Sequence, residues 1–234
     1  MRLAFWTICF AALVVSGALA QEKKSVPPPP KPNDDGPSLE VTMKFIQDKM
    51  NEHGAVGYVY TRSNFSGGLF RHHDLMSDVV ADATTCTLRA TEKFAVQIEV
   101  AEGVTYTEGG KAVSGDDLHR DVVETSSSSF KEVASVAVES ADHYWSRKAA
   151  EAARPEIIYT HTPAVYNLSL IAAKKDAFSL HSTVSKGKQA PQNSERTSNE
   201  TTFVFRDEET AKRVAKAMQH AVELCGGGSK PEPF

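Results

Sequence analysis

The chain has 234 residues, 41 % of them apolar and 24 % charged, with a formal net charge of -4. That is enough apolar residue for a substantial buried core, and a mildly acidic surface gives no electrostatic reason to seek nucleic acid or an anionic membrane. No cofactor motif accompanies this composition, and none is expected.

The first twenty residues, MRLAFWTICFAALVVSGALA, place one basic residue (Arg2) before a short apolar run that ends in Ala18-Leu19-Ala20. This is the pattern of a cleaved secretory signal peptide over 1–20, and it predicts a periplasmic or secreted protein. Cys9 lies within the run, and no later stretch is long and apolar enough to anchor the mature chain. Residues 21–37, QEKKSVPPPPKPNDDGP, follow as a proline-rich linker, because consecutive prolines hold the chain extended and cannot pack.

From Ser38 a helix is expected to about His53, with Leu39, Met43, Ile46 and Met50 on one face and Gly54 as the stop. Residues 55–63 read as a strand. The next segment, NFSGGLFRHHDLMSDVV, is ambiguous, with a turn expected at Gly67-Gly68. Between 84 and 110, Cys86, Leu88 and Ala90 alternate with polar residues, and so do Phe94, Val96, Ile98 and Val100. Period-two alternation broken by Gly103 and Gly109-Gly110 predicts antiparallel strands and hairpins.

DLHRDVV is too short to carry a pattern, ETSSSSF reads as a flexible linker, and residues 131–140 return to strand pattern. Residues 142–156 read either as two helical turns ending before Pro155 or as a mobile loop. EIIYTH, AVYNLSLIAA and AFSLHSTVS are further strands, and residues 185–200 a polar loop. TTFVF (201–205) is the last strand and leads into a helix over 207–225, capped by Asp207, striped with Ala211, Val214, Met218 and Val222, and stopped by Gly226. Residues 229–234 read as a flexible tail.

Only Cys86 and Cys225 remain after cleavage. In an oxidising compartment they form a natural disulfide pair, the alternative being two buried thiols. The densest group of metal-type side chains is His72, His73, Asp74, Asp78 and Asp82. On a helix, Asp74, Asp78 and Asp82 would share a face, although adjacent histidines diverge in any regular structure. His161 and His181 lie in neighbouring strand candidates and could meet across a sheet. Ser-x-x-Lys occurs at 128–131 and 185–188 without the motifs that make it catalytic. Tyr144, Trp145 and Arg147 form a possible contact patch. Asn64, Asn167 and Asn199 each open an Asn-x-Ser/Thr tripeptide, an acceptor only in a eukaryotic secretory route.

The ending TTFVFRDEETAKRVAKAMQHAVELCGG, where a last strand runs into a terminal helix, resembles a pleckstrin-homology-like fold. The N-terminal SLEVTMKFIQDKMNEHG and the cysteine-containing ADATTCTLRA look like those of secreted bacterial proteins of unknown function. The resemblance implies an α+β domain over 38–228: a bent antiparallel sheet or small barrel with an N-terminal helix and a C-terminal capping helix. A bacterial origin implies no glycans. The basic cluster of lipid-binding members is replaced here by Arg62, Arg71, His72 and His73 beside Asp74, Asp78 and Asp82, so phospholipid binding is not carried over. The expected function is that of an exported, non-enzymatic interaction or small-ligand-binding domain, whose partner is a protein or small ligand in the envelope or outside the cell. A metal-dependent hydrolase built on 72–82 and a structural envelope protein are the alternatives.

Overall fold

The structure, a computed structural model, describes residues 36–108 and 110–228. The expected signal peptide, nearly all of the proline-rich linker and the tail from 229 lie outside the described residues.

Helix α1 (Leu39–Glu52) begins where the Ser38 hydroxyl accepts from the Val41 N–H, and it buries Met43, Ile46 and Met50. Then come β1 (Ala55–Arg62), β2 (Phe65–Asp82) and β3 (Thr87–Val100), which pair as an antiparallel meander. The small hairpin β4 (Tyr106–Glu108) and β5 (Lys111–Val113) precedes β6 (His119–Ser129), which lies beside β3. A 3-10 turn at Phe130–Glu132 leads to β7 (Val133–Ser140) and α2 (Ala141–Glu151). The remaining elements are β8 (Tyr159–Thr162), β9 (Tyr166–Ala172), β10 (Phe178–Lys186), β11 (Gln192–Ser198), β12 (Glu200–Phe205) and α3 (Glu208–Leu224).

The strands make a seven-stranded sheet in the order β11-β10-β6-β3-β2-β1-β8, a three-stranded sheet β12-β9-β7, and the β4-β5 hairpin. Pairing is antiparallel throughout. The fold is thus α+β, with a helix at each end of the described residues and twelve strands among them. The small-barrel alternative is corrected: β11 and β8 end the large sheet as open edges.

Several local expectations are also corrected. Gly67-Gly68 is not a turn but the interior of β2, where a Cβ at Gly68 would stand 2.3 Å from the Glu99 carbonyl oxygen and one at Gly67 2.5 Å from Val104. Residues 124–129 are not a linker: they belong to β6, an inner strand that buries Ser126 and Ser128. Most of 185–200 is regular as well, since β11 pairs along β10 as an edge strand with no apolar side chain to reveal it. Residues 141–151 take the helical alternative, capped by the Ser140 hydroxyl.

The larger core lies among the two sheets, α1 and α3. It gathers Met43, Ile46 and Met50 with Met76, Leu88, Phe178, Leu168, Phe203 and Phe205, closed by Val214, Met218 and Val222. A bulge in β2, between Ser77 and Val80, places Asp78 at φ 52° and turns Val79 into this core. The β2–β3 turn and the end of α3 meet beside this core. Cys86, in the β2–β3 turn, and Cys225, the C-cap of α3, stand at disulfide distance, with sulfurs 2.13 Å and Cα atoms 5.9 Å apart. No helix among the described residues is long and apolar enough to cross a membrane.

Candidate functional site

Alternation along the large sheet decides which side chains meet. The register pairs Val56 with Asp74, Tyr58 with His72, and Tyr60 with Phe70. It then pairs Asp74 with Phe94 and Met76 with Glu92, and next Glu92 with Glu124 and Ala90 with Ser126. All of these share one face. At one end of that face Met76, Leu88 and Ala90 enter the main core. Further along, the small sheet and α2 stand away from it, and a cavity of about 630 Å³ opens. Its walls come from the large sheet (β1, β2, β3, β6, β8, β10 and β11) on one side, and from α2, β9 and β12 on the other.

Aromatic rings form the β1 side. His72 stacks between Tyr58 and Phe94, with centroids at 4.8 and 5.3 Å. His161 leans on Tyr58 at 5.4 Å and is held by Asp142, whose Oδ1 accepts from the His161 N–H and lies 2.6 Å from its Nδ1. Tyr144, its hydroxyl against Thr202, and Trp145, 42 % exposed, come from successive positions of α2 and reach the mouth.

Four carboxylates line the same space: Asp74, Glu92, Glu124 and Glu200. Two have cations. Arg196 donates to Glu124 at 3.0 Å, and the Lys148 ammonium lies 2.6 Å from Glu200. Asp74 and Glu92 have no ion pair among the described residues, although Asp74 is only 6 % exposed. Burial pushes the Asp74 carboxyl up to about 7. Glu92 is pushed well above the carboxylate range by burial, then by Asp74 and Glu124. Burial drives His72 the other way, down to about 4, with His161 and His73 adding to the effect, so its ring is neutral at pH 7. Several buried polar atoms lack a hydrogen-bond partner: Glu92 Oε1, Glu200 Oε1, His72 Nδ1, and both amide atoms of Asn167, a residue only 1 % exposed. Groups in this state cost stability unless something fills their valences.

The sequence-derived metal cluster is dispersed. Because 65–82 is a strand and not a helix, His72 and Asp74 face the cavity while His73 points to the opposite face. Asp78 sits at the bulge, and Asp82 accepts from the Thr84 and Thr85 N–H groups in the turn after β2. Among the described residues no group of three or more His, Cys, Asp or Glu side chains is arranged to hold a metal ion. His161 and His181 do not meet, since four strands separate β8 from β10 in the sheet, and His181 instead pairs with Glu195 across β11. Of the contact patch, Tyr144 and Trp145 line the cavity, whereas Arg147 lies between Glu139 and Glu151. Asn167 is buried, which leaves no room for a glycan in the folded chain.

Glu92, Glu124, Glu200, Lys148 and Arg196 escaped the sequence reading, and Asn167 was noted only as part of a glycosylation tripeptide. For Glu92 a signal existed: it occupies the inward position between the alternating runs Cys86-Leu88-Ala90 and Phe94-Val96-Ile98. A carboxylate on an otherwise apolar face is the informative exception in a strand.

No protein-family model matches the chain, and comparison with curated proteins and with solved structures found no significant match either.

Proposed function

We propose that this chain is an exported, non-enzymatic domain that binds a small molecule in the cavity between the large sheet, the small sheet and α2. One observation carries the reading: a 630 Å³ cavity walled by aromatic rings holds buried polar atoms that no protein group satisfies. Binding pockets combine these features, an apolar enclosure for area and a few fixed polar groups for orientation. Export is supported by the leader pattern and by the two cysteines that meet. A relationship to pleckstrin-homology-like folds rests on the β12-to-α3 ending and on the antiparallel sheet; the number of strands and the open edges depart from that fold's simple form.

The test is a thermal-shift screen of polar and aromatic small molecules, repeated on Ser126→Phe, which fills the cavity floor. The expected result is at least one compound that raises the melting temperature of the parent protein and leaves the variant unmoved. Compounds that stabilise both proteins equally, or none that stabilises the parent, would overturn the reading.

A further inference from the structure

We infer that the cavity takes a small organic cation, a primary amine or guanidine with a compact apolar body, whose charge is met by Asp74 and Glu92 and whose body lies against Tyr58, His72 and Phe94. The inference rests on the binding-domain reading above and names its ligand class.

The argument starts from the balance of charge. Four carboxylates enter the cavity and two cations answer them, Arg196 at Glu124 and Lys148 at Glu200. The two left over are neighbours. Asp74 lies opposite Phe94, and Glu92 is two residues back along the same strand, so the pair is one diagonal step apart on one face, typically roughly 7–8 Å between Cα atoms. An ammonium or guanidinium group with several N–H donors can serve both. Asp74 is buried with no ion pair, Glu92 keeps an oxygen shut off from solvent and unpaired, and the Asn167 amide is empty on both sides. These groups stand on separate sheets, and each lacks a partner among the described residues.

Charge sign and shape narrow the class. An anion finds no unpaired Lys or Arg among the described residues that line the cavity, and it would oppose ionisation of the carboxyl pair. A neutral molecule would leave the carboxyl pair protonated, as burial already makes it. A bare metal ion would leave most of 630 Å³ empty, and the His, Asp and Glu side chains do not converge on one point. An organic cation replaces the proton and also uses the Tyr58–His72–Phe94 stack, whose ring faces attract positive charge.

Isothermal titration of the purified protein with phenethylamine, 1,4-diaminobutane and methylguanidine, against phenethyl alcohol and phenylacetate, tests the inference. The expected result at pH 8 is that at least one cation binds tenfold or more tighter than the alcohol, and that phenylacetate does not bind. Affinity should fall at least fivefold between pH 8 and pH 5.5, because binding must displace a carboxyl proton; this needs no variant. Asp74→Asn with Glu92→Gln, if it melts cooperatively, should lose the cation and retain the alcohol. If phenethyl alcohol or phenylacetate binds as well as the amines, and Ser126→Phe blocks it, the cation inference falls and the binding domain stands. If neither these compounds nor the screened library bind in a way that Ser126→Phe abolishes, both readings fall.

Discussion

Glu92 and Glu124 lie directly opposite each other on β3 and β6, yet only Glu124 has a cation, the guanidinium of Arg196 reaching over from the edge strand β11. Two carboxylates facing across a ladder repel, which adds to burial in raising Glu92, while Glu124 has the Arg196 guanidinium beside it. Arg196→Met is expected to lower stability by about 0.5–1 kcal/mol, because the guanidinium is more than half exposed and water replaces part of its contact with Glu124. Arg196→Lys should recover less than half of the loss, lacking the planar fork. Urea unfolding of the three proteins decides it, and an Arg196→Met variant as stable as its parent would show that the pair is idle.

Asp74 makes stability depend on pH in the sense opposite to a salt-bridged carboxylate. Its folded value is raised to about 7, so between the unfolded value near 3.8 and pH 7 the native state holds a proton that the unfolded chain releases. Its contribution is therefore most favourable in acid, falls as pH rises through that window, and is constant above it. Asp74→Asn removes the slope. The variant is expected to match its parent near pH 4 and to exceed it by about 2–4 kcal/mol at pH 8. Denaturant unfolding at pH 4, 6 and 8 is the measurement, and a variant less stable than its parent at pH 8 contradicts the assignment.

His72 supplies the opposing slope. Its ring stays neutral down to about pH 4 in the fold, while the unfolded chain takes up a proton below the ordinary value of 6.5. Stability from this group is complete above pH 6.5 and is lost as pH falls toward 4. His72→Phe keeps the stack between Tyr58 and Phe94 and removes the titration. At pH 5 it should gain about 2 kcal/mol on its parent relative to the difference at pH 8. Thermal unfolding at the two pH values would show it; an unchanged difference means that the ring is charged in both states or neutral in both.

The β2 bulge depends on Asn51. Its amide donates to the Val79 carbonyl at 2.9 Å and accepts from the Val79 N–H at 3.0 Å, while Gln47 accepts from the Ala81 N–H at 3.1 Å. Helix α1 thus supplies backbone partners that no strand provides at the bulge. Asn51→Ala orphans both groups of Val79 and should cost about 1–3 kcal/mol. Asn51→Asp keeps the acceptor and should fall between. Amide exchange at Val79 is the direct probe, and protection equal to the parent's in Asn51→Ala would rule the contact out as a support.

Joining Cys86 to Cys225, 139 residues apart in sequence, closes a long loop in the unfolded chain. Reduction, or Cys86→Ser with Cys225→Ser, should cost about 2–5 kcal/mol. The expected outcome is a lower melting temperature in reductant for the parent and no effect of reductant on the double variant.

Much of the frame was legible because its signals are local. Ser38 and Asp207 announced helix starts by offering an oxygen to free N–H groups, and the expected ends at 53 and 225 fall within a residue of Glu52 and Leu224. Alternation marked β3 and β10 because one side of each faces the core. The failures share a cause. β6 and β11 are serine-rich or polar, and they are strands because neighbours on the sheet pair with them, not because their own residues prefer it. Gly67-Gly68 looked like a turn, yet the glycines serve close packing against Val104 and the Glu99 backbone.

The cavity was less legible than the frame. Tyr144, Trp145, His72 and Asp74 were singled out, but for a surface patch and a metal cluster, as two separate groups. Sequence by itself determined the helix ends and the strand-rich middle, because caps and period-two alternation act over a few residues. Tertiary structure alone decided that Asp74, Glu92, Glu124 and Glu200 share one enclosed space and that only two of them have cations. Those carboxylates lie as far as 126 residues apart, on strands of two sheets, and register across a sheet is a long-range property that no short stretch of chain encodes.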